Sequence, residues 1–164
     1  MNPRPLFLAA LVSLALATNP LLAHEHEHEH GHDHDMAATS LQLNNGEKWQ
    51  TDAPLRAAMG QIRNAMTDAH PGIHAGTLPD DDFTELANQV RAQVANMVAN
   101  CQLPADADAQ LHIVLGQLLN GATQMAGDSE TATRKDGAHV IFGALTAYGE
   151  HFNDPDFQPI VHMH

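Results

Sequence analysis

Four stretches of this chain carry apolar residues at steps of three and four, and this spacing constrains the fold more than any other feature. In the first stretch, residues 53–69, the apolar positions are Leu55, Met59, Ile62 and Met66. Such steps place side chains on one face of an α-helix, whereas a strand needs alternate positions. The pattern therefore predicts an amphipathic helix with one face turned to a core.

Capping residues, proline and glycine mark where each helix is expected to begin and end. Thr51 or Asp52 is suited to cap the first helix, because a short polar side chain accepts hydrogen bonds from amides of the first turn. Residues 70–72, His-Pro-Gly, are expected to break it, since proline has no amide hydrogen to donate. The other three helices are expected at residues 80–100, 104–126 and 131–152.

The four helices have similar lengths and short connections, and this combination favours neighbours that run antiparallel. Strand signals are almost absent: only residues 40–43 alternate, too briefly to build a sheet. The sequence therefore predicts an all-α fold, an antiparallel up-down-up-down four-helix bundle over residues 41–157.

Residues 1–23 have the pattern of a secretory signal peptide. Arg4 gives a positive start, and the apolar run that follows at residues 6–17 is too short to span a bilayer as a helix. Cleavage is expected after Ala23. We therefore expect a periplasmic or secreted protein without a membrane anchor after cleavage.

Directly after this leader, residues 24–35 read HEHEHEHGHDHD, the most chemically specific stretch of the chain. Imidazole nitrogens bind zinc, copper and nickel, and the interleaved carboxylates attract cations and offer oxygen ligands. The sequence therefore predicts binding of divalent transition metal. The six expected ligands are His24, His26, His28, His30, His32 and His34.

The spacing of these histidines predicts a loose chelator. Alternate residues of an extended chain lie about 6.5 to 7 Å apart on one side, so a tetrahedral site requires the segment to curl around its ion. We expect residues 24–40 to form a disordered arm with several interchangeable ligand sets, and nothing in it selects one of the three metals. The alternative is a solvated spacer without a metal role.

Charge and cysteine content narrow the partners further. The formal net charge is −13 at pH 7, which makes nucleic acid and anionic membrane surfaces poor partners. Cys101 is the only cysteine, so no internal disulfide can form, and its place in an apolar stripe predicts a small buried core residue.

An antiparallel bundle brings several soft or borderline metal ligands to one pole. Five side chains are expected there: Met59, Met97, Cys101, His112 and His151. These residue types suit copper or haem iron, although methionine at core positions mostly serves packing. Met59 and His151 also stand at ends comparable to those that grip haem in four-helix periplasmic cytochromes, an analogy at the level of fold.

Two further groups of histidines are expected outside regular structure. His70 and His74 stand four residues apart, but Pro71 and Gly72 between them argue against a helical metal pair and predict loop residues near His139. Residues 158–164, which end His-Met-His, are expected to be a flexible tail.

Two segments carry a family resemblance. Residues 41–56, LQLNNGEKWQTDAPLR, and residues 94–104, VANMVANCQLP, resemble the DnrO-like family of exported bacterial proteins. The resemblance covers about residues 41–157, with the His-rich arm as a variable prefix. It implies a periplasmic helical bundle and provides no catalytic residues.

Enzymatic activity is not expected, because the chain has no CxxCH motif, paired Glu-x-x-His motif, Gly-rich phosphate loop, serine elbow or carboxylate dyad. The leading hypothesis is a periplasmic protein that captures, buffers or delivers divalent metal, with a metal-receiving protein as its partner. One alternative is a haem- or copper-binding electron-transfer bundle. Another is a binding or sensor module whose partner docks near Trp49 or on the first helix.

Overall fold

A computed structural model describes residues 40–158 of the chain. The expected signal peptide, arm residues 24–39 and tail residues 159–164 lie outside these described residues. The elements, in chain order, are β1 Trp49–Gln50, α1 Ala53–Ala75, α2 Asp80–Asn100, α3 Ala105–Ala126, α4 Arg134–His151 and β2 Phe152–Asn153. At the level of four helices, the all-α expectation is confirmed. None of the helices at residues 40–158 has the length and apolar character needed to cross a membrane.

The first helix does not break at residues 70–72, so that expectation is wrong. α1 continues through Pro71 to Ala75 and ends at Gly76, which has a left-handed backbone with φ of 67°. A proline inside a helix costs about 3 kcal/mol. The last turn offsets this cost because Ile73 is buried in the core, which contributes about 1.5 to 3 kcal/mol, and because His70 packs against the ring of Phe142.

Local capping sets the other helix limits. α2 has the limits expected from the sequence, and α3 begins after Pro104 and ends at Gly127 as expected. α4 begins at Arg134, later than expected, because Thr133 and Asp136 form a capping box. Each side chain of that pair accepts a hydrogen bond from the backbone amide of the other residue.

The core of residues 40–158 consists of apolar side chains, and no polar or charged residue among them is fully buried. Each helix packs against its neighbours in sequence, and α1 also contacts α4. The largest fully buried side chains come from all four helices and β2: Leu55, Met59, Ile62, Met66, Ile73, Met97, Leu111, Leu118, Met125, Ile141, Tyr148 and Phe152.

α3 and α4 pack closely at two glycines that face each other. A β-carbon at Gly137 would lie 2.5 Å from the backbone nitrogen of Met125 and 2.6 Å from the carbonyl oxygen of Gly121. A β-carbon at Gly121 would lie 2.8 Å from the carbonyl oxygen of Gly137. Since backbone atoms cannot move aside cheaply, only glycine fits at this crossing.

One end of the helices is closed by a pairing that the sequence pattern did not predict. β1 pairs in parallel with β2, with Trp49 opposite Phe152. Nearby, one Asp52 carboxylate oxygen accepts from the amide of Leu55 at 2.9 Å and the other from the amide of Gln102 at 2.6 Å. Asp52 therefore caps α1 and joins it to the connection between α2 and α3, and we call this region the Asp52 end.

The other end of the helices is joined through Arg134. Its guanidinium donates to the carbonyl oxygen of Met125 at 2.6 Å and to the hydroxyl of Thr84 at 3.3 Å. The same group lies 3.4 Å from a carboxylate oxygen of Asp80. The start of α4 is thereby tied to the end of α3 and the start of α2, and we call this region the Arg134 end.

Replacing two glycines of α4 by alanine should change stability in opposite directions. Gly137→Ala should lower the free energy of unfolding by at least about 2 kcal/mol, because its methyl group meets the backbone of α3. Gly143→Ala should raise it by about 0.5 to 1 kcal/mol, since nothing lies within 4 Å of a β-carbon there and alanine favours the helix. Urea unfolding measures both, and equal effects would contradict the close packing of α3 on α4.

Candidate metal and ligand sites

The six arm histidines, His24, His26, His28, His30, His32 and His34, lie outside the described residues, so their metal binding stays a prediction from donor chemistry. Among residues 40–158, no group of three or more His, Cys, Asp or Glu side chains is placed to bind a metal ion. The described helices therefore offer pairs and single ligands.

Three of the five soft ligands expected at one pole line a common pocket. Met97, Cys101 and His112 border a pocket of about 180 Å³ together with Asp108 and apolar side chains of α2 and α3. Met97 is buried and His112 is exposed, so the pocket runs from the core to the surface. Its mixture of thioether, thiol and imidazole has the ligand types that copper prefers.

The two histidines of this region present the same nitrogen outward. Nδ1 of His112 lies 2.8 Å from the carbonyl oxygen of Asp108, and Nδ1 of His151 lies 2.8 Å from that of Ala147. A carbonyl oxygen only accepts, so Nδ1 carries the proton in each contact and Nε2 of the neutral ring has the free lone pair. Each ring is thus oriented to offer Nε2 to a ligand.

The Met59 and His151 pair that would grip haem is split between core and surface. Met59 is fully buried among apolar side chains, whereas His151 is half-buried at the last residue of α4. Neither residue lines the pocket next to Cys101 or the two larger pockets along α1 described below. Binding of haem by this pair stays a prediction.

Cys101 is half-buried, not fully buried as expected, because it follows the last residue of α2 at the Asp52 end. Burial and the neighbouring carboxylate of Asp52 raise the pKa of its thiol from 9.0 to about 11. Tyr148 lies close by in the core and donates to a carboxylate oxygen of Asp154 at 2.9 Å. Burial and Asp154 raise the pKa of that phenol as well. Both groups are therefore protonated at neutral pH.

His70 and His74 both lie in α1, so the expectation that they are loop residues is wrong. Their ring centroids are 6.0 Å apart, and the ring of His70 meets that of Phe142 edge to face at 5.3 Å. This pair was not expected from the sequence, because Pro71 between the two histidines was predicted to end the helix. The available signal was Ile73, an apolar residue seven positions after Met66 and so on the same helix face.

Two larger pockets lie along α1 and α2. One of about 470 Å³ is bordered by polar side chains that include Gln61, Gln89 and Gln93, and a second of about 400 Å³ is bordered by Asp68 and Asp82 among others. The side-chain oxygen of Gln93 is buried and has no hydrogen-bond partner. These pockets offer amide and carboxylate groups, a donor set that suits small polar ligands better than soft metal ions.

Trp49, near which a partner was considered to dock, covers an end of the helices. It is half-buried against the core, and its indole nitrogen donates to the carbonyl oxygen of Gln42 at 2.6 Å. The same residue pairs with Phe152 through its backbone. These contacts give Trp49 a role in the packing of the fold.

The chain matches no protein-family model, no curated protein and no solved structure. Its function therefore has to follow from its own residues.

The raised pKa of Cys101 predicts that its thiol reacts slowly with alkylating reagents. At pH 8 the thiolate fraction should be about one in a thousand in the folded protein and about one in ten in the unfolded chain, so alkylation should be about a hundredfold slower when folded. Iodoacetamide kinetics from pH 7 to 11, with and without urea, measure this difference.

The raised pKa of Cys101 also makes the free energy of unfolding depend on pH. A folded pKa above the unfolded one stabilises the fold fully below pH 9, and this contribution should be lost as the pH rises from 9 to about 11. Cys101→Ser should flatten that part of the stability profile relative to the parent protein. A folded thiol that reacts with its midpoint near pH 9 would contradict the environment described for Cys101.

Proposed function

We propose that this protein is an exported, non-enzymatic metal-binding protein. The arm of residues 24–40 captures zinc, copper or nickel, and the protein buffers the ion in the periplasm or delivers it to a metal-receiving partner. The single observation that carries this proposal is the run of six histidines alternating with acidic residues.

The donor chemistry of the arm fits capture and release. Each imidazole offers a nitrogen that suits all three metals, and the intervening carboxylates lower the cost of bringing a divalent cation close. Because no single set of four ligands is imposed by the spacing, several sets compete for one ion. Such a site exchanges its ion readily, which suits buffering or delivery.

In this proposal the helices are a stable carrier, an antiparallel up-down-up-down bundle preceded by a disordered arm. Contacts at the two ends support this arrangement. At the Asp52 end, the start of α1 meets the end of α4 and the connection between α2 and α3. At the Arg134 end, the start of α4 meets the start of α2 and the end of α3. Membership of the DnrO-like family and export by residues 1–23 belong to the same proposal.

A copper-binding bundle is the second candidate, and the pocket next to Cys101 favours it. Met97, Cys101 and His112 meet there, and the free Nε2 of His112 is of the type that copper binds. Haem bound by Met59 and His151 is the related alternative. Protein loaded with copper or haem should then show charge-transfer or Soret absorption that is lost on changing these residues.

The main proposal is tested by replacing all six arm histidines with glutamine in the full chain. Glutamine preserves length, polarity and every carboxylate but removes the imidazole ligands. Zinc affinity measured by isothermal titration calorimetry at pH 7.5 should fall at least about a hundredfold, because two or more imidazoles are lost from each ligand set. Circular dichroism should show unchanged helical content.

A matched variant distinguishes the contribution of the imidazoles to zinc affinity from that of the negative charges. Replacing the five interleaved acidic residues by their amides should weaken zinc binding only severalfold, since these groups mainly attract the cation. In the parent protein, affinity should also fall as the pH drops below about 6.5, because protonated imidazole cannot ligate. Equal zinc affinity in the parent and the glutamine variant would refute the proposal.

A further inference from the structure

We propose a second metal site in the helical part of the protein, at His70 and His74. Both imidazoles bind one divalent transition-metal ion on the surface of α1. The site consists of residues other than those of the arm, and it stands whether or not the arm binds metal.

The helix brings the two rings to the right separation. Residues four apart on an α-helix lie on one face, one turn above the other. With a metal–nitrogen bond of about 2.1 Å, each ring centroid lies about 3.2 Å from the ion, so the centroids are about 4.5 Å apart at adjacent square or octahedral positions, about 5.2 Å apart for tetrahedral angles and about 6.4 Å apart at opposite positions. The observed separation of 6.0 Å falls in this interval.

The turn that carries the pair is fixed in place. Ile73, between the two histidines, is buried in the core. After it, Gly76 ends the helix, with its amide donating to the carbonyl oxygen of Ile73 and that of Thr77 donating to Gly72. Such a cap satisfies the last carbonyl groups of a helix. The backbone therefore keeps both histidines on one face despite Pro71.

The two histidines have different surroundings, and both favour an accessible site. His70 is half-buried, and its contact with the buried ring of Phe142 restricts its orientation. His74 is exposed, so water can fill the remaining positions on the ion. One neighbour is unfavourable: the ammonium of Lys135 lies 3.4 Å from the carbonyl oxygen of His74, and its positive charge weakens the binding of a cation at the pair.

The pair is a two-ligand site. Among the described residues no third histidine, cysteine or carboxylate completes a set around it. Two imidazoles and solvent suit nickel and copper, which accept nitrogen ligands with water in square or octahedral geometries. The site should therefore bind with modest affinity and exchange its ion quickly.

Thermal unfolding with nickel chloride separates this site from the arm. An ion bound by the helical pair binds the folded state only and raises the melting temperature, whereas an ion bound by the arm has no such preference. With the six arm histidines replaced by glutamine, nickel at about a hundred times its Kd should raise the melting temperature by roughly 5 to 15 °C. His74→Ala should abolish this shift.

Two controls make the test specific. His139→Ala removes an exposed histidine from α4 that belongs to neither the proposed pair nor the pocket next to Cys101, and it should leave the nickel-dependent shift unchanged. His74→Ala combined with Ala75→His keeps the number of histidines but turns one away from the face of His70, and it should lose the shift.

The outcomes separate the two proposals. A nickel shift that survives His74→Ala, or no shift in the protein that has glutamine at the six arm positions and both His70 and His74 intact, would overturn the site at His70 and His74. Zinc affinity that is unchanged by the arm substitutions would instead overturn the proposed function of the arm and leave this site standing.

Discussion

Burial of apolar faces on four helices stabilises the described part of the chain, and the placement of every chemically active side chain depends on it. No charged or polar residue among residues 40–158 is fully buried, and a chain with one cysteine has no internal disulfide. Apolar packing therefore accounts for the association of the helices. Imidazoles are left at the surface, as at His74 and His112.

The helices could be predicted where their limits depend on local signals. The limits of α2 follow from the proline before Asp80 and from the short connection to Pro104 after its last residue. The end of α1 could not be predicted in this way. Pro71 is a local signal for a helix end, but the packing of Ile73 in the core overrides it. The pairing of β1 with β2 could not either, since strands of two residues leave no periodic pattern and their partners are far apart in the chain.

The candidate sites also differ in how far local sequence, as opposed to tertiary packing, determines them. The proposed metal binding of the arm rests on its composition, which can be read without a fold. The meeting of Met97, Cys101 and His112 followed from helix order and direction, and the pocket next to Cys101 agrees with it. The pair at His70 and His74 required the structure, because a single residue, Pro71, made the loop interpretation the better one from sequence alone. The proposed function combines helices that serve as a carrier with imidazoles that bind metal transiently.

The most direct test of this account is the metal content of the protein isolated without a tag or chelators from the periplasm or medium, to which we propose that it is exported. Elemental analysis should find zinc, copper or nickel in the full-length protein and most of it missing from a matched protein that lacks residues 24–35. Absence of transition metal from the full-length protein, or equal metal in both proteins, would contradict metal capture by the arm.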